Sequence, residues 1–441
     1  MEKDQLQRSL DFIEDHLRAE ITLSDIAGEA GFSAFHFSRM FQGTVGLPVM
    51  AYVLRRRLLH AAYHIACGMD ANTAALTFGF DTYAGFYKAF VRTFDKTPAL
   101  VKKRGATLPP HRIDLCKGDD CMISNEKLKD ILRNWGLEEM PFVPVRYENS
   151  GFISDTAWYV GGEHVLKATK NLYGFHTHAA ITKALAEEGM LAPVPVAAAE
   201  NREYVQEGEW YFYLLPRLGG RPVNSRRLME KDWAEKAYRL GSLIGRLHKV
   251  LRLHDGDIAA DGMDFAAMVR DYAMPKTKVA LSMPKAFYDH YLARFPELYP
   301  LLPKHVIHRD VNPANILMRG EDFCGFVDFE LGQRSIRLYD PCCLTTAILS
   351  ETFPEGNPPS YDKWFEVYQA VLRGYDSVCG LTKEEREAAP YVVFTIQMIC
   401  VAYFSETPKF HALAETNKHM LVWLWENRER LAYNSDAVIR R

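Results

Sequence analysis

The sequence lacks both an apolar run long enough to span a bilayer and a pair of cysteines spaced CxxC. Its longest apolar run, YVVFTIQMICVAYF (391–404), contains Gln397 and falls short of the roughly 20 residues that a spanning helix needs. We therefore expect a buried core helix there and no membrane partner. The first residues, MEKDQLQRSL, lack the apolar segment of a secretory signal. The eight cysteines are accordingly expected to be reduced thiols in a cytoplasmic protein.

The chain also lacks a strong overall charge, because 53 basic residues nearly balance 56 acidic ones. A nucleic-acid site must therefore show as a local asymmetry. The segment from Gly31 to Arg104 has that asymmetry, with ten basic and three acidic residues and a formal charge of +7. With 441 residues, 48% of them hydrophobic, the chain has material for two or three folded domains. We predict a polyanion-binding module attached to a second domain.

The basic segment contains an internal repeat with a helix-turn-helix pattern. GFSAFHFSRMFQGTVGLP (31–48) aligns with GFDTYAGFYKAFVRTFDKTP (79–98), and a helix rich in small residues precedes each copy. Glycine after the first helix permits a left-handed turn, and the phenylalanine that follows packs the two helices together. Ser33 and Asp81 are suitable N-caps for the second helices. Four phenylalanines are predicted to face the core: Phe37, Phe41, Phe86 and Phe90.

The opposite faces of these second helices are spaced to enter successive major grooves of a DNA duplex. The repeat resembles the AraC-type DNA-binding domain, and the resemblance covers about the first 105 residues. It implies that double-stranded DNA is the partner, and it places six side chains at base-reading positions: Phe35, Ser38, Arg39, Tyr83, Ala84 and Lys88. The alternative is a helical repeat whose basic face is merely solvated. The operator sequence stays open, and a homodimer is compatible with the sequence without being indicated by it.

A second motif lies in the acidic remainder of the chain. HRDVNPANIL (308–317) has the pattern His-x-Asp-x4-Asn, and VDFE (327–330) follows it. Phosphoryl transfer to a hydroxyl needs a carboxylate that orients the nucleophile and accepts its proton, and oxygen ligands that hold Mg²⁺ on the phosphates. Asp310 suits the first role, and Asn315 and Asp328 suit the second, because Mg²⁺ prefers oxygen ligands.

The surrounding pattern predicts the elements that carry these residues. A hairpin around 316–329 would bring Asn315 and Asp328 together. Asp340, in Tyr-Asp-Pro, is interpreted as the cap of the next helix in preference to a direct role in the chemistry. Upstream, a helix is predicted from Asn125 to Trp135. Strand-like runs follow at 142–153, 157–168 and 209–215. A small sheet-rich lobe would then precede a larger helical lobe.

The predicted strands supply the remaining candidates for phosphate binding. HVLKATK (164–170) ends a predicted strand pair that begins at SGFISDTAWYVGG (150–162). Lys167 on such a strand can reach the α and β phosphates as a point charge. The backbone at Ser150 and Gly151 is a candidate cover for the phosphates. The break at Pro216 is a candidate hinge between the lobes.

Together these features resemble the aminoglycoside phosphotransferase and choline kinase family over roughly residues 125–435. The resemblance implies ATP and Mg²⁺ as cofactors and phosphorylation of a hydroxyl group on a small molecule. The predicted fold class is an all-α double helix-turn-helix domain followed by an α+β two-lobed protein-kinase-like domain. Its predicted bounds are 1–105 for the DNA-binding domain, 106–124 for a linker, 125–216 for the small lobe and 217–441 for the large lobe.

One position departs from that family. The family pairs its strand lysine with a glutamate on the following helix, and counting back from GMLAPVP (189–195) places His178 there. Two functions therefore stay open. The chain is either a transcription regulator fused to an active small-molecule phosphotransferase, or a transcription factor whose kinase-like domain is a weak or inactive sensor of a ligand or nucleotide. The acceptor is not identified by the weakly patterned C-terminal helices.

Overall fold

The computed structural model describes residues 2–45, 48–94, 97–104, 110, 112, 125–146, 153–353, 358–406 and 410–434. The chain divides into two compact units, Met1–Glu139 and Met140–Arg441. The first unit is helical in its described residues and the second combines sheets with helices. This arrangement confirms the predicted fold class.

The first unit contains two helix-turn-helix motifs joined by a long helix. Its helices are α1 (Glu2–Asp15), α2 (Leu23–Glu29), α3 (Ala34–Val45), α4 (Val49–Ala66), α5 (Ala71–Thr77), α6 (Tyr83–Phe94), α7 (Pro98–Arg104) and α8 (Asn125–Leu132). The turns α2–α3 and α5–α6 both pass through a left-handed glycine, Gly31 at φ +77° and Gly79 at φ +74°. The same backbone conformation at equivalent places confirms the predicted repeat.

The N-caps of the two motifs differ by one position from the prediction. Ser33 Oγ accepts the His36 backbone N–H before α3 at 3.4 Å, as expected. Before α6 the cap is Thr82, whose Oγ1 accepts the Gly85 N–H at 3.2 Å. The prediction of Asp81 was wrong because the second copy carries one more residue between its glycine and its helix.

The inward faces of the repeat are buried in the first unit. Phe37, Phe41, Phe86 and Phe90 are fully buried, as predicted. The long helix α4 is tied to α1 by a buried ion pair, in which the Arg56 guanidinium donates from Nε and from Nη2 to the Glu14 carboxylate. His60 contacts the same carboxylate at 3.1 Å. Arg56 therefore serves packing rather than a basic outer surface.

The small lobe of the second unit is a five-stranded antiparallel sheet. Its elements are β1 (Phe142–Arg146), β2 (Ile153–Val160), β3 (His164–Thr169), α9 (Leu172–Glu187), β4 (Val205–Glu207) and β5 (Trp210–Pro216), and the strand order is β1-β2-β3-β5-β4. β2 and β3 form the strand pair predicted at 150–162 and 164–170, and the turn between them at Gly161, where φ is +57°, divides the run 157–168. Lys167 lies on the central strand β3, opposite Ala157 on β2 and Tyr213 on β5.

The large lobe follows Pro216 and is mainly helical. Its strands are β6 (Arg221–Pro222), β7 (Lys304–Ile307), β8 (Ile316–Arg319), β9 (Asp322–Phe326) and β10 (Gln333–Ile336). Its helices are α10 (Ser225–Glu230), α11 (Trp233–Leu253), α12 (Phe265–Met268), α13 (Met274–Ala280), α14 (Lys285–Leu298), α15 (Tyr339–Thr352), α16 (Pro358–Cys379), α17 (Lys383–Glu406) and α18 (His411–Glu426). β8 and β9 form the predicted hairpin, with Ile316 opposite Phe326.

Helix α17 carries the longest apolar run of the sequence. It has the length and composition to cross a membrane, but 67% of its most apolar window is buried inside the protein. Residues such as Val392 and Val393 are fully buried in the core of the large lobe. This packing agrees with the predicted core helix.

Candidate active site and nucleic-acid interface

The loop that carries Asp310 is fixed by a buried carboxylate. It leaves β7 at His308 and turns at Arg309, which has a left-handed φ of +68°. Asp340, fully buried in the first turn of α15, accepts the backbone N–H of His308 at 2.9 Å and of Arg309 at 2.8 Å. The structure thus shows that Asp340 holds the Asp310 loop, and its interpretation as the cap of its own helix was wrong.

A chain of hydrogen bonds extends from Asp340 into the helical core. His248 Nε2 lies 2.9 Å from Asp340 Oδ2, and His248 Nδ1 lies 2.8 Å from the Tyr375 hydroxyl. Both His248 and Tyr375 are buried. Because α11, α15 and α16 each contribute one member, the large-lobe core sets the position of the loop.

Asp310 is oriented by two amides from its own loop. Asn312 Nδ2 donates to Asp310 Oδ1 at 3.0 Å, and Asn315 Nδ2 donates to Asp310 Oδ2 at 3.0 Å and to the Asp310 backbone carbonyl at 2.9 Å. Burial, followed by the nearby charge of Asp328, raises the pKa of Asp310. A raised pKa makes the carboxylate a better proton acceptor.

The β8–β9 hairpin brings Asn315 and Asp328 to the same end of the sheet. The Val327 N–H donates to the Asn315 carbonyl at 3.0 Å, and Asp328 then adopts a left-handed φ of +69°. Non-glycine residues in this conformation are uncommon and concentrate at functional sites. Since Asn315 uses its amide hydrogens on Asp310, its oxygen is the group that it can offer to a cation.

Lys167 reaches this site from the small lobe. Its Nζ donates to Asp328 Oδ1 at 2.9 Å and also to Glu330 Oε1. The Tyr213 hydroxyl donates to the same Glu330 oxygen. Burial would lower the pKa of Lys167, but the Asp328 and Glu330 carboxylates override it and raise that pKa well above its ordinary value. Burial would raise the pKa of Asp328, and the Lys167 ammonium holds it below its ordinary value instead.

His178, at the position where a helix glutamate was expected, makes its hydrogen bonds to backbone groups. Its Nε2 lies 3.1 Å from the Pro193 carbonyl, and its Nδ1 accepts the Phe329 N–H at 3.3 Å. Burial, followed by the Lys167 charge, lowers the pKa of His178 to about 4, so the ring is neutral at neutral pH. Sequence reasoning missed Glu330 as the partner of Lys167, although VDFE displayed an acid two residues after Asp328.

The donors at the site suit a hard cation. Within the described part of the chain, no group of three or more His, Cys, Asp or Glu side chains is arranged to hold a metal ion. That finding is compatible with Mg²⁺, which is commonly bound by one or two carboxylates together with substrate phosphates. The other two phosphate-binding candidates, Ser150 and Gly151, lie outside the described residues.

The base-reading candidates of the first unit lie mostly on exposed helix faces. Phe35 is 76% exposed, and the Arg39 guanidinium lies 5.9 Å from its ring centroid. On α6, a shallow open depression is lined by Tyr83, Ala84, Gly85, Tyr87 and Lys88. Ser38 is half-buried. Large aromatic side chains exposed on two repeated helices indicate an interaction surface.

Comparison with known protein families divides the chain in the same way. Residues 26–104 match the model of a helix-turn-helix domain family of the AraC type, and residues 165–381 match the model of the phosphotransferase enzyme family. The helix-turn-helix match runs from within α2 to the end of α7. The phosphotransferase match begins on β3 and includes residues of both lobes.

Individual proteins resemble one part of the chain or the other. The transcriptional regulator Rob of Salmonella typhimurium is 35% identical over 95 residues, which are 21% of this chain and 32% of Rob, so the chain spans about a third of that relative. The probable transcription factor PqrA of Proteus vulgaris is 33% identical over 98 residues, 22% of this chain and 80% of PqrA.

Matches to the second unit are more distant. The homoserine kinase of Zymomonas mobilis is 27% identical over 227 residues, 47% of this chain and 62% of that enzyme. The solved structure of a microcompartment-associated aminopropanol kinase has a TM-score of 0.50 at 15% identity, covering 69% of this chain and 98% of that one. Such a structural likeness shows the fold alone.

Proposed function

We propose a function from the premise that this chain belongs to the AraC-type helix-turn-helix proteins through its N-terminal domain and carries a C-terminal domain of the phosphotransferase enzyme family. In this proposal, the protein is a DNA-binding transcription regulator that also transfers a phosphoryl group from ATP to a hydroxyl group of a small molecule. We expect the protein to be cytoplasmic, because a transcription regulator must reach DNA. The observation that carries the enzymatic part is the arrangement of Asp310, Asn315 and Asp328 at one end of the β8–β9 hairpin, facing Lys167.

Each of these side chains has a role that follows from its contacts. Asp310 orients the acceptor hydroxyl and takes its proton, while Asn312 and Asn315 hold the carboxylate in place. Lys167 supplies positive charge to the α and β phosphates. Asp328 and the amide oxygen of Asn315 are the residues that would hold Mg²⁺. When bound, Mg²⁺ neutralises phosphate charge that develops during transfer.

The acceptor is proposed as a small molecule that carries a hydroxyl group. The resemblance to a homoserine kinase and the likeness in fold to an aminopropanol kinase favour testing amino alcohols first. Aminoglycosides, choline and sugars complete the panel of candidate acceptors.

ATP consumption by the full-length chain tests the enzymatic proposal. With the true acceptor, Asp310→Asn is expected to reduce the rate by about 10²- to 10⁴-fold, which is the usual contribution of a general base. Asp322→Asn is the matched control, because it makes the same change at an exposed carboxylate on the adjacent hairpin. A rate that Asp310→Asn leaves unchanged would contradict the assignment. Magnesium-dependent ATP binding without turnover of any acceptor would favour the sensor function.

The DNA-binding part of the proposal assigns base contacts to α3 and α6. Phe35, Ser38 and Arg39 would read one major groove, and the α6 positions would read the next: Tyr83, Ala84 and Lys88. The guanidinium of Arg39 is suited to guanine, and Ala84 to a thymine methyl group.

Selection of duplexes from a random pool by the full-length chain tests this assignment. Arg39→Ala is expected to weaken binding to the selected site by about ten- to a hundredfold, corresponding to 1–3 kcal/mol for a base contact. Lys129→Ala removes the same charge from an exposed position on α8 and serves as the control. Equal losses in both variants would argue for general charge attraction rather than base reading.

A further inference from the structure

We infer that Glu330 is the positioning residue that holds and orients Lys167, in place of a carboxylate on helix α9. The inference rests on the proposed function for its consequence at the nucleotide, because Lys167 is the side chain assigned to the phosphates. The contacts themselves are made within the protein and need no ligand.

The first support is the pattern of contacts around the lysine. Lys167 Nζ donates to both Asp328 and Glu330, and the Tyr213 hydroxyl donates to the same Glu330 oxygen. The Glu330 side chain is 19% exposed and that of Asp328 is 36% exposed. Glu330 is thus the more enclosed of the two acids, and it is anchored by a second donor from β5.

The second support is the face that α9 turns toward this segment. A Cβ atom built on Gly174 would lie 2.8 Å from the Glu330 carbonyl oxygen, and one built on Gly332 would lie 2.5 Å from Ile181 Cδ1 and 3.1 Å from Thr177 Cγ2. His178 accepts the N–H of Phe329. The helix therefore packs directly on the backbone of 329–332, and its contribution is to hold the segment that supplies the acid.

The third support is a division of labour between two carboxylates. A carboxylate that neutralises Lys167 is less available to a cation. If the site had only one acid, that acid would have to pair with Lys167 and also bind the cation. Because Glu330 is anchored by Tyr213 and Lys167, Asp328 would be the carboxylate available to hold a metal ion. Glu330 then keeps the ammonium in place throughout.

A double-mutant cycle on the full-length chain tests whether Glu330 acts through Lys167. ATP binding in the presence of Mg²⁺ is measured by titration calorimetry for the wild type, Glu330→Gln, Lys167→Ala and the double variant. Glu330→Gln is expected to weaken ATP binding by about ten- to a hundredfold, as for loss of a hydrogen bond to a charged group. In the Lys167→Ala background the same change is expected to alter affinity by no more than about twofold. Losses that multiply in the double variant would overturn the inference.

Tyr213→Phe provides a second and milder variant, because it removes only the hydroxyl that anchors Glu330. It is expected to weaken ATP binding in the same direction and by less than Glu330→Gln. The control is Glu209→Gln, since Glu209 lies 3.5 Å from Lys170 in an exposed pair on the same sheet. A Glu209→Gln effect as large as that of Glu330→Gln would also overturn the inference.

A nucleotide-independent readout separates failure of this inference from failure of the proposed function. Acylation of Lys167 by an amine-reactive ester, quantified by mass spectrometry without ATP, is expected to be several-fold faster in Glu330→Gln than in the wild type, because an amine held in an ion pair is a poor nucleophile. An unchanged rate would overturn the inference. Faster acylation together with no ATP binding by the wild type would support the inference and refute the proposed nucleotide site.

Discussion

Replacement of Asp340 by asparagine tests how far the large-lobe core controls the Asp310 loop. The carboxylate is fully buried and accepts three hydrogen bonds. Oδ2 receives those of His248 and His308, both at 2.9 Å, and Oδ1 receives that of Arg309 at 2.8 Å. An amide of the same shape keeps one acceptor oxygen and replaces the other with a donor. It should therefore orient its oxygen where two bonds are made and direct its N–H at the Arg309 N–H.

The expected cost follows from these contacts. One charge-assisted hydrogen bond is lost, at about 1.5–3 kcal/mol, and a buried donor is left without an acceptor, at about 1–3 kcal/mol. We expect Asp340→Asn to lower the free energy of unfolding by about 3–5 kcal/mol. The assay is urea unfolding of the full-length chain followed by tryptophan fluorescence. Asp257→Asn, at a carboxylate that is 85% exposed, should change stability by less than about 0.5 kcal/mol. A loss below about 1 kcal/mol for Asp340→Asn would refute the reasoning.

Two further predictions concern buried groups. The pKa of His178 is lowered to about 4 and that of His305 to about 3, so the stability that these neutral rings provide is complete above the unfolded pKa of about 6.5 and is lost as the pH falls from there toward 4. His178→Asn should reduce the slope of Tm against pH between 6.5 and 4, and an unchanged slope would contradict this. In the first unit, Glu14→Gln removes a buried carboxylate that accepts two hydrogen bonds from Arg56 and contacts His60, and breaking this buried ion pair should lower the free energy of unfolding by about 3–5 kcal/mol. Glu29→Gln, at an exposed position, is the control, and equal effects of the two variants would count against the ion pair.

The architecture could be predicted from the sequence because its signals are local and repeated. The glycine-phenylalanine turns at Gly31 and Gly79 fixed the two helix-turn-helix motifs, and the burial of Phe37 and Phe86 followed from helical spacing. The exact ends of the helices and strands were harder to predict from the sequence. Thr82 rather than Asp81 caps α6, and this shift by one residue could not be predicted from the local composition.

The candidate site was predictable only where its residues are close in the sequence. Asp310, Asn315 and Asp328 fall within one short stretch joined by a hairpin, so their proximity could be inferred from the pattern. The partner of Lys167 could not be inferred from the pattern, because Lys167 and Glu330 meet only after the two lobes pack together. The same holds for Asp340, whose link to His248 crosses 92 residues of chain.

The placement of Glu330 also bears on how such a domain could be controlled. In protein kinases, the ion pair between the strand lysine and an acid on the neighbouring helix can be broken by moving that helix, and activation exploits this movement. Here the acid that pairs with the lysine, Glu330, lies on the chain segment that follows Asp328, the proposed metal ligand. Because α9 packs on this segment without supplying the acid, a movement of α9 would act on the pair only through the segment. An on–off control of this domain would have to act on the 327–332 segment or on access of the acceptor.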